Sequence, residues 1–206
     1  MNKIVLAGLV TEEPTFSHEV HGEKFYRFYL SSSRQSGYCD VLMCTVPEII
    51  KNGINEGNMV KVLGEIRTRN VHEDDKNHLE ITVFVKEVLS YEKDENNVEL
   101  DGFICKEPVY RETPFGRQIT DLIVASNRER NYKSDYIPCI AWGRNAIRAS
   151  EFNVGTRVKV LGRLQSREYN KRLGDETYEV RTAYELSASM IDVVEESEEI
   201  IDENSN

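Results

Sequence analysis

Gly155-Thr156-Arg157-Val158-Lys159-Val160-Leu161-Gly162 repeats Gly57-Asn58-Met59-Val60-Lys61-Val62-Leu63-Gly64 at a distance of 98 residues. In both, valines alternate with polar or charged residues, the period-two pattern of a strand with one buried face. Moving outward, Leu6, Gly8, Glu13, Pro14, Gly22, Ser32 and Arg34 recur 94 residues later as Leu100, Gly102, Glu107, Pro108, Gly116, Ser126 and Arg128. Asp40 and Cys44 recur after 95 residues as Asp135 and Cys139. Order is kept while the offset grows, as expected when loops lengthen between equivalent strands. Two copies are too few for a solenoid, so the repeat predicts two sibling domains. The expected boundaries are 1–92 and 98–194, with a polar linker at 93–97 and an acidic tail at 195–206.

Each copy reads as mostly strand. Leu79, Ile81, Val83 and Val85 alternate with Glu80, Thr82, Phe84 and Lys86, and turn signals fall at Glu13-Pro14, His21-Gly22, Pro114-Phe115-Gly116 and Leu173-Gly174-Asp175. One short helix is expected per copy, over residues 47–52 and 144–151. Three strands, a helix and two strands in under 100 residues is the order of the five-stranded OB barrel, a fold that binds oligonucleotides or oligosaccharides. The predicted fold class is therefore all-β, two tandem OB barrels with a disordered acidic tail.

Composition narrows the function. The 206 residues carry a net charge of −10, yet residues 1–97 hold −5, residues 98–192 hold +1 and the last fourteen hold −6. The acidity leaves the second copy free to present a basic surface. No apolar run approaches the roughly 18 residues of a membrane span, and the N-terminus meets Glu12-Glu13 before a signal core can form. A cytoplasmic protein without a membrane partner is expected. Cys39, Cys44, Cys105 and Cys139 form no C-x-x-C pair, and His18, His21, His72 and His78 fall near hairpin loops, so neither metal nor disulfide is expected. Cys44 and Cys139 share a strand position and read as small core residues. No nucleophile elbow, P-loop or zincin motif is present, so no enzyme and no cofactor are predicted.

The second copy interleaves cations with aromatics. Residues 126–144 contain Arg128, Arg130, Tyr132, Lys133, Tyr136, Trp142 and Arg144, and residues 159–172 contain Lys159, Arg163, Arg167, Tyr169, Lys171 and Arg172. Cations follow phosphates while aromatic faces stack on unpaired bases, about 1–3 kcal/mol per base whatever the sequence. Trp142 read alone fits a strand-end core residue as well as a platform; among the arginines it points to binding. The repeat sharpens this. Tyr136, Trp142 and Tyr169 correspond to Val41, Pro47 and Val71, and Arg163 corresponds to Glu65. The first copy is expected to support the second or build an oligomer.

Residues 98–195 resemble the bacterial single-stranded DNA-binding protein family. The resemblance rests on the runs Ile123–Asn127, Asp135–Ala146 and Val158–Tyr169; the first copy is similar chiefly through the second. It implies that Tyr136, Trp142 and Tyr169 stack on bases, with a further aromatic near Arg130–Tyr132. It also implies a homodimer, because members with one barrel per chain usually assemble four barrels. The expected function is sequence-independent binding of single-stranded DNA in replication, recombination or repair. The alternatives are a replication accessory that works by protein contacts and a binder of single-stranded RNA. Family tails dock replication and repair proteins through a Pro-aromatic tip, whereas this chain carries the acid but ends Asn-Ser-Asn.

Overall fold

The computed structural model describes residues 1–73, 76–128, 133–172 and 177–194. The first half comprises β1 (Asn2–Val10), β2 (Thr15–Val20), β3 (Glu23–Ser33), β4 (Cys39–Pro47), β5 (Met59–Glu73) and β6 (Lys76–Leu89). The second comprises β7 (Glu95–Ile104), β8 (Val109–Glu112), β9 (Gln118–Asn127), β10 (Ser134–Trp142), the helix α1 (Arg144–Ser150), β11 (Arg157–Arg172) and β12 (Tyr178–Val193). In the first half β1 pairs with β3 and β5, β5 with β6, β6 with β4, and β4 with β3. The pairings return to their starting strand, so five strands close into a ring. The second half repeats it through β7, β9, β10, β12 and β11.

Alternation decides which side chains fill each ring. Ile4, Leu6, Leu30, Leu42, Val62 and Ile66 are buried in the first, and their repeat equivalents Val98, Leu100, Val124, Ile137, Val160 and Leu164 in the second. Full burial of such a side chain contributes about 1.5–3 kcal/mol, so each half has a core of its own. The repeated glycines mark where the ring is tightest. A Cβ on Gly8 or Gly102 would run into the backbone carbonyl of Ser31 or Ala125, and one on Gly64 or Gly162 into that of Phe84 or Ser187. The register of β5–β6 and of β11–β12 shifts at Gly64 and Gly162, a bulge of the kind that lets a sheet turn a corner.

Three features differ from the sequence expectation. Residues 95–97, expected in the linker, open β7. The helix expected over 47–52 is only a 3-10 turn at Glu48–Ile50 that buries none of its residues, whereas α1 forms and buries Ala146 and Ala149. Each half also carries an extra strand, β2 or β8, at an end of the sheet. Every residue of β8 is exposed and β2 is nearly so, so neither leaves an apolar alternation to read.

The two rings are joined edge to edge. β1 runs antiparallel to β7, with Ile4 opposite Val98, Asn2 opposite Leu100 and Leu6 opposite Asn96. Since Ile4 and Val98 are repeat equivalents, a pseudo-twofold axis passes between them, and all twelve strands form one continuous sheet. Among the described residues no helix is long and apolar enough to cross a membrane.

Candidate nucleic-acid interface

The seam between the halves is held by polar groups that obey the same pseudo-symmetry. Asp135 is fully buried. Its carboxylate accepts from Arg128 Nε at 2.8 Å and Nη2 at 2.6 Å, and from the first half it takes Thr68 N at 2.7 Å and Arg67 Nη1 at 3.0 Å. Asp40 does the same in reverse, holding Arg34 Nε at 2.7 Å and Ser166 N of the second half at 2.9 Å. Tyr136 N donates to Thr68 Oγ1 at 2.9 Å, mirrored by Val41 N to Ser166 Oγ at 3.2 Å. Burial pushes the Asp135 carboxyl up, but Arg128, the Thr68 N–H and Arg67 outweigh it and hold it below its ordinary value. The symmetry fails at Arg67. Arg67 bridges Asp135 and Glu65, while its equivalent Gln165 turns to Glu185 at 2.7 Å.

The side chains expected to bind fall into several settings. Tyr136, Trp142 and Tyr169 are 52%, 38% and 38% exposed, more than a core ring would be. Tyr136 points off β10 beside Thr68 of the first half. Trp142 ends β10 opposite Ile119. Tyr169 lies on the β11–β12 hairpin with the Arg167 guanidinium 5.8 Å from its ring centroid. Lys159, Arg163, Arg167 and Tyr169 share the outward face of β11, the odd-numbered residues whose neighbours Val158, Val160 and Leu164 are buried. Lys133 and Arg144 are exposed at the two ends of β10, and Lys171 and Arg172 are exposed at the end of β11. Arg128 is half-buried and spends its guanidinium on Asp135. Arg130 and Tyr132 lie outside the described residues.

A cleft of about 790 Å³ gathers part of this set. Trp142, Arg163, Arg167 and Tyr184 line it from the second half, and Arg34, Tyr38 and Val41 from the first. Arg163 donates to Gln165 Oε1 at 3.2 Å. Burial and the neighbouring Arg34 charge disfavour its protonated form and outweigh the Asp40 carboxylate, which favours it. Cys44 and Cys139 are buried and burial pushes both thiols up, which makes them inert core residues. Arg34, Asp40, Asp135 and Tyr38 were not read from the sequence as functional, and Arg128, expected on the bound strand, is instead half of a seam pair. The signal for the seam was the retention of Arg34, Asp40, Arg128 and Asp135 in both copies, since what both halves keep is what both need to assemble.

The model of the single-strand binding protein family matches residues 95–194. Single-stranded DNA-binding protein 2 of Listeria monocytogenes is 31% identical over 110 residues, which cover 48% of this chain and 69% of that protein. The chain belongs to the single-strand binding protein family. This is a family of DNA-binding proteins rather than enzymes. Single-stranded DNA-binding protein A of Bacillus subtilis is 34% identical over 89 residues, 40% of this chain. The chain spans about half the length of that relative, 52%. The wild-type single-stranded DNA binding protein from Thermus aquaticus superposes with a TM-score of 0.74 at 21% identity, covering 96% of this chain and 94% of its own. That likeness embraces both halves, whereas the family model covers the second alone, so the first half shares the fold after its sequence has diverged.

Proposed function

We propose that this protein binds single-stranded DNA without base specificity, through the second half of the chain, in replication, recombination or repair. The two closed rings are OB barrels, residues 1–92 and 98–194. The observation that carries the reading is the exposure of Tyr136, Trp142 and Tyr169, with Trp142 in one cleft with Arg163 and Arg167 and Tyr169 beside Arg167. An unpaired strand offers bases to the rings and phosphates to Lys133, Arg144, Lys159, Arg163, Arg167, Lys171 and Arg172. Arg128 serves differently. With two bonds to the buried Asp135 carboxylate, it fixes the seam on which Tyr136 stands.

The protein acts as a homodimer in this reading. Leu9 and Met59 face each other on β1 and β5 and are 39% and 43% exposed, an apolar spot that a second copy would cover. Titration of the intact chain with oligo-dT at several salt concentrations is the test. Log affinity should fall linearly with log salt, by about 0.7 per phosphate contact. A flat response or no binding overturns the reading. Competition between matched DNA and RNA strands decides the sugar preference, since stacking alone is indifferent to it.

A further inference from the structure

Tyr38 sits in the turn between β3 and β4 of the first half. Gly37, at φ +86°, closes that turn, with Gly37 N bonded to Arg34 O at 3.0 Å and Arg34 N to Tyr38 O at 2.7 Å. The fork of Arg34 onto Asp40 anchors its base. A rigid turn thus presents a ring that is 74% exposed. Among the described residues its side chain has neither a hydrogen bond nor a ring contact. It projects where the first half borders the second, and lines the same cleft as Trp142, Arg163 and Arg167.

We infer that Tyr38 is a base-stacking residue, supplied by the first half to the strand-binding cleft of the second, so that a bound strand crosses the seam. The inference rests on the single-strand reading above. The pseudo-twofold axis provides the internal comparison. At the mirror position across the axis Tyr38 becomes Lys133, Trp142 becomes Pro47 and Arg163 becomes Glu65. Glu65 there is neutralised by Lys86 and Arg67. One side of the seam therefore combines Tyr38 and Trp142 with Arg163, which has no carboxylate bonded to it among the described residues; the other has Pro47 and the internally paired Glu65 in place of Trp142 and Arg163, and Tyr136 beside Thr68 in place of Val41. Two rings with cationic flanks, in a cleft within the roughly 300–1,000 Å³ range of ligand sites, match a base and its phosphate. An acidic or purely apolar partner would use one of those features and leave the other unmatched. The first half, with Val41, Pro47 and Val71 where its sibling has Tyr136, Trp142 and Tyr169, contributes through a loop residue instead.

Trp142 is the only tryptophan of the chain, so its fluorescence reports from inside this cleft. The experiment titrates oligo-dT into the full-length protein and into Tyr38→Ala and Tyr38→Phe, reading Trp142 quenching and thermal midpoint. Quenching of the wild type is expected. Tyr38→Ala should weaken affinity by about 5- to 150-fold, the loss of one stacked base, with the midpoint unchanged because most of the ring is exposed. Tyr38→Phe should stay within about twofold of wild type, since the ring face is what a base stacks on. Unaltered affinity for Tyr38→Ala while the wild type binds and is quenched overturns the inference and leaves the single-strand reading standing. A Phe variant as weak as the Ala variant overturns stacking in favour of a hydroxyl contact. Absence of wild-type binding at low salt overturns the single-strand reading itself.

Discussion

Replacing Asp135 by asparagine removes one charge and almost no volume. It tests whether the seam is held by the buried carboxylate. Asp135 is fully buried and accepts four hydrogen bonds, from Arg128 twice, from Arg67 and from the Thr68 N–H. Removing one partner of a buried ion pair costs about 3–5 kcal/mol, because the charge left behind is uncompensated. Here the side chains of Arg128 and Arg67 are 21% and 24% exposed and reach some water, which argues for the lower part of that range, about 3–4 kcal/mol. Asp40 is the internal control. It is equally buried, but Gln165 stands where Arg67 would mirror, so Asp40→Asn takes a carboxylate from Arg34 alone, whereas Asp135→Asn takes one from Arg128 and also from Arg67, which keeps Glu65. A charge-assisted hydrogen bond contributes about 1.5–3 kcal/mol, so Asp40→Asn should be milder by about that amount. Urea denaturation followed by circular dichroism measures both. At about 2–4 °C per kcal/mol for a chain of this size, Asp135→Asn should melt roughly 10 °C below wild type. A loss under about 1 kcal/mol, or an Asp40→Asn as damaging as Asp135→Asn, would refute the seam argument.

Acid should act on the same carboxylate. Its folded pKa is lowered, so its contribution is complete above the unfolded value of about 3.9 and is lost as pH falls below that toward the folded value; Asp135→Asn should flatten the stability profile in that window, and an unchanged profile counts against the carboxylate. Gly162→Ala drives a Cβ into the Ser187 carbonyl at the bulge and should cost about 1–3 kcal/mol or more, whereas a Cβ at Gly116 meets nothing within 4 Å, so Gly116→Ala should cost only its positive-φ strain of about 1 kcal/mol; equal melting points for the two would sink the close-approach explanation. Trp142→Ala and Tyr136→Ala should each weaken oligo-dT binding by about 1–3 kcal/mol in calorimetric titration with the fold retained, and unchanged affinity in the folded double variant would end the stacking proposal.

The strands that form the two cores were legible because burial writes itself into period two. Val60, Val62, Val158 and Val160 alternate with polar neighbours, and each of those valines is buried. β2 and β8 left no such trace, since a strand exposed on both faces is held by backbone bonds that any sequence can make. The 3-10 turn at Glu48–Ile50 was over-read as a helix for a related reason. Its Ile49 is 80% exposed, so an apolar letter stood where no packing partner exists. α1, by contrast, buries Ala146 and Ala149 and receives the Thr120 hydroxyl on the Ala146 carbonyl at 2.7 Å.

The candidate interface was half legible for a reason that belongs to repeats. Comparing aligned positions shows where the copies differ, and so it singled out Val41, Pro47 and Val71 against Tyr136, Trp142 and Tyr169. It treats the copies as independent, and the fold does not. Pairing β1 with β7 leaves no local signature in either strand, yet it sets the turn of Arg34–Tyr38 against the second half's β11 and the start of β10 against the first half's Thr68. Once the halves are joined, Arg128 becomes a seam residue and Tyr38 a wall of the cleft. The residues both copies retain, Arg34 with Asp40 and Arg128 with Asp135, build the junction. Those that differ between copies, Tyr38 against Lys133 and Glu65 against Arg163, make its two sides unlike. An exact repeat would give the junction two equal sides, and the divergence of the first half makes them unequal.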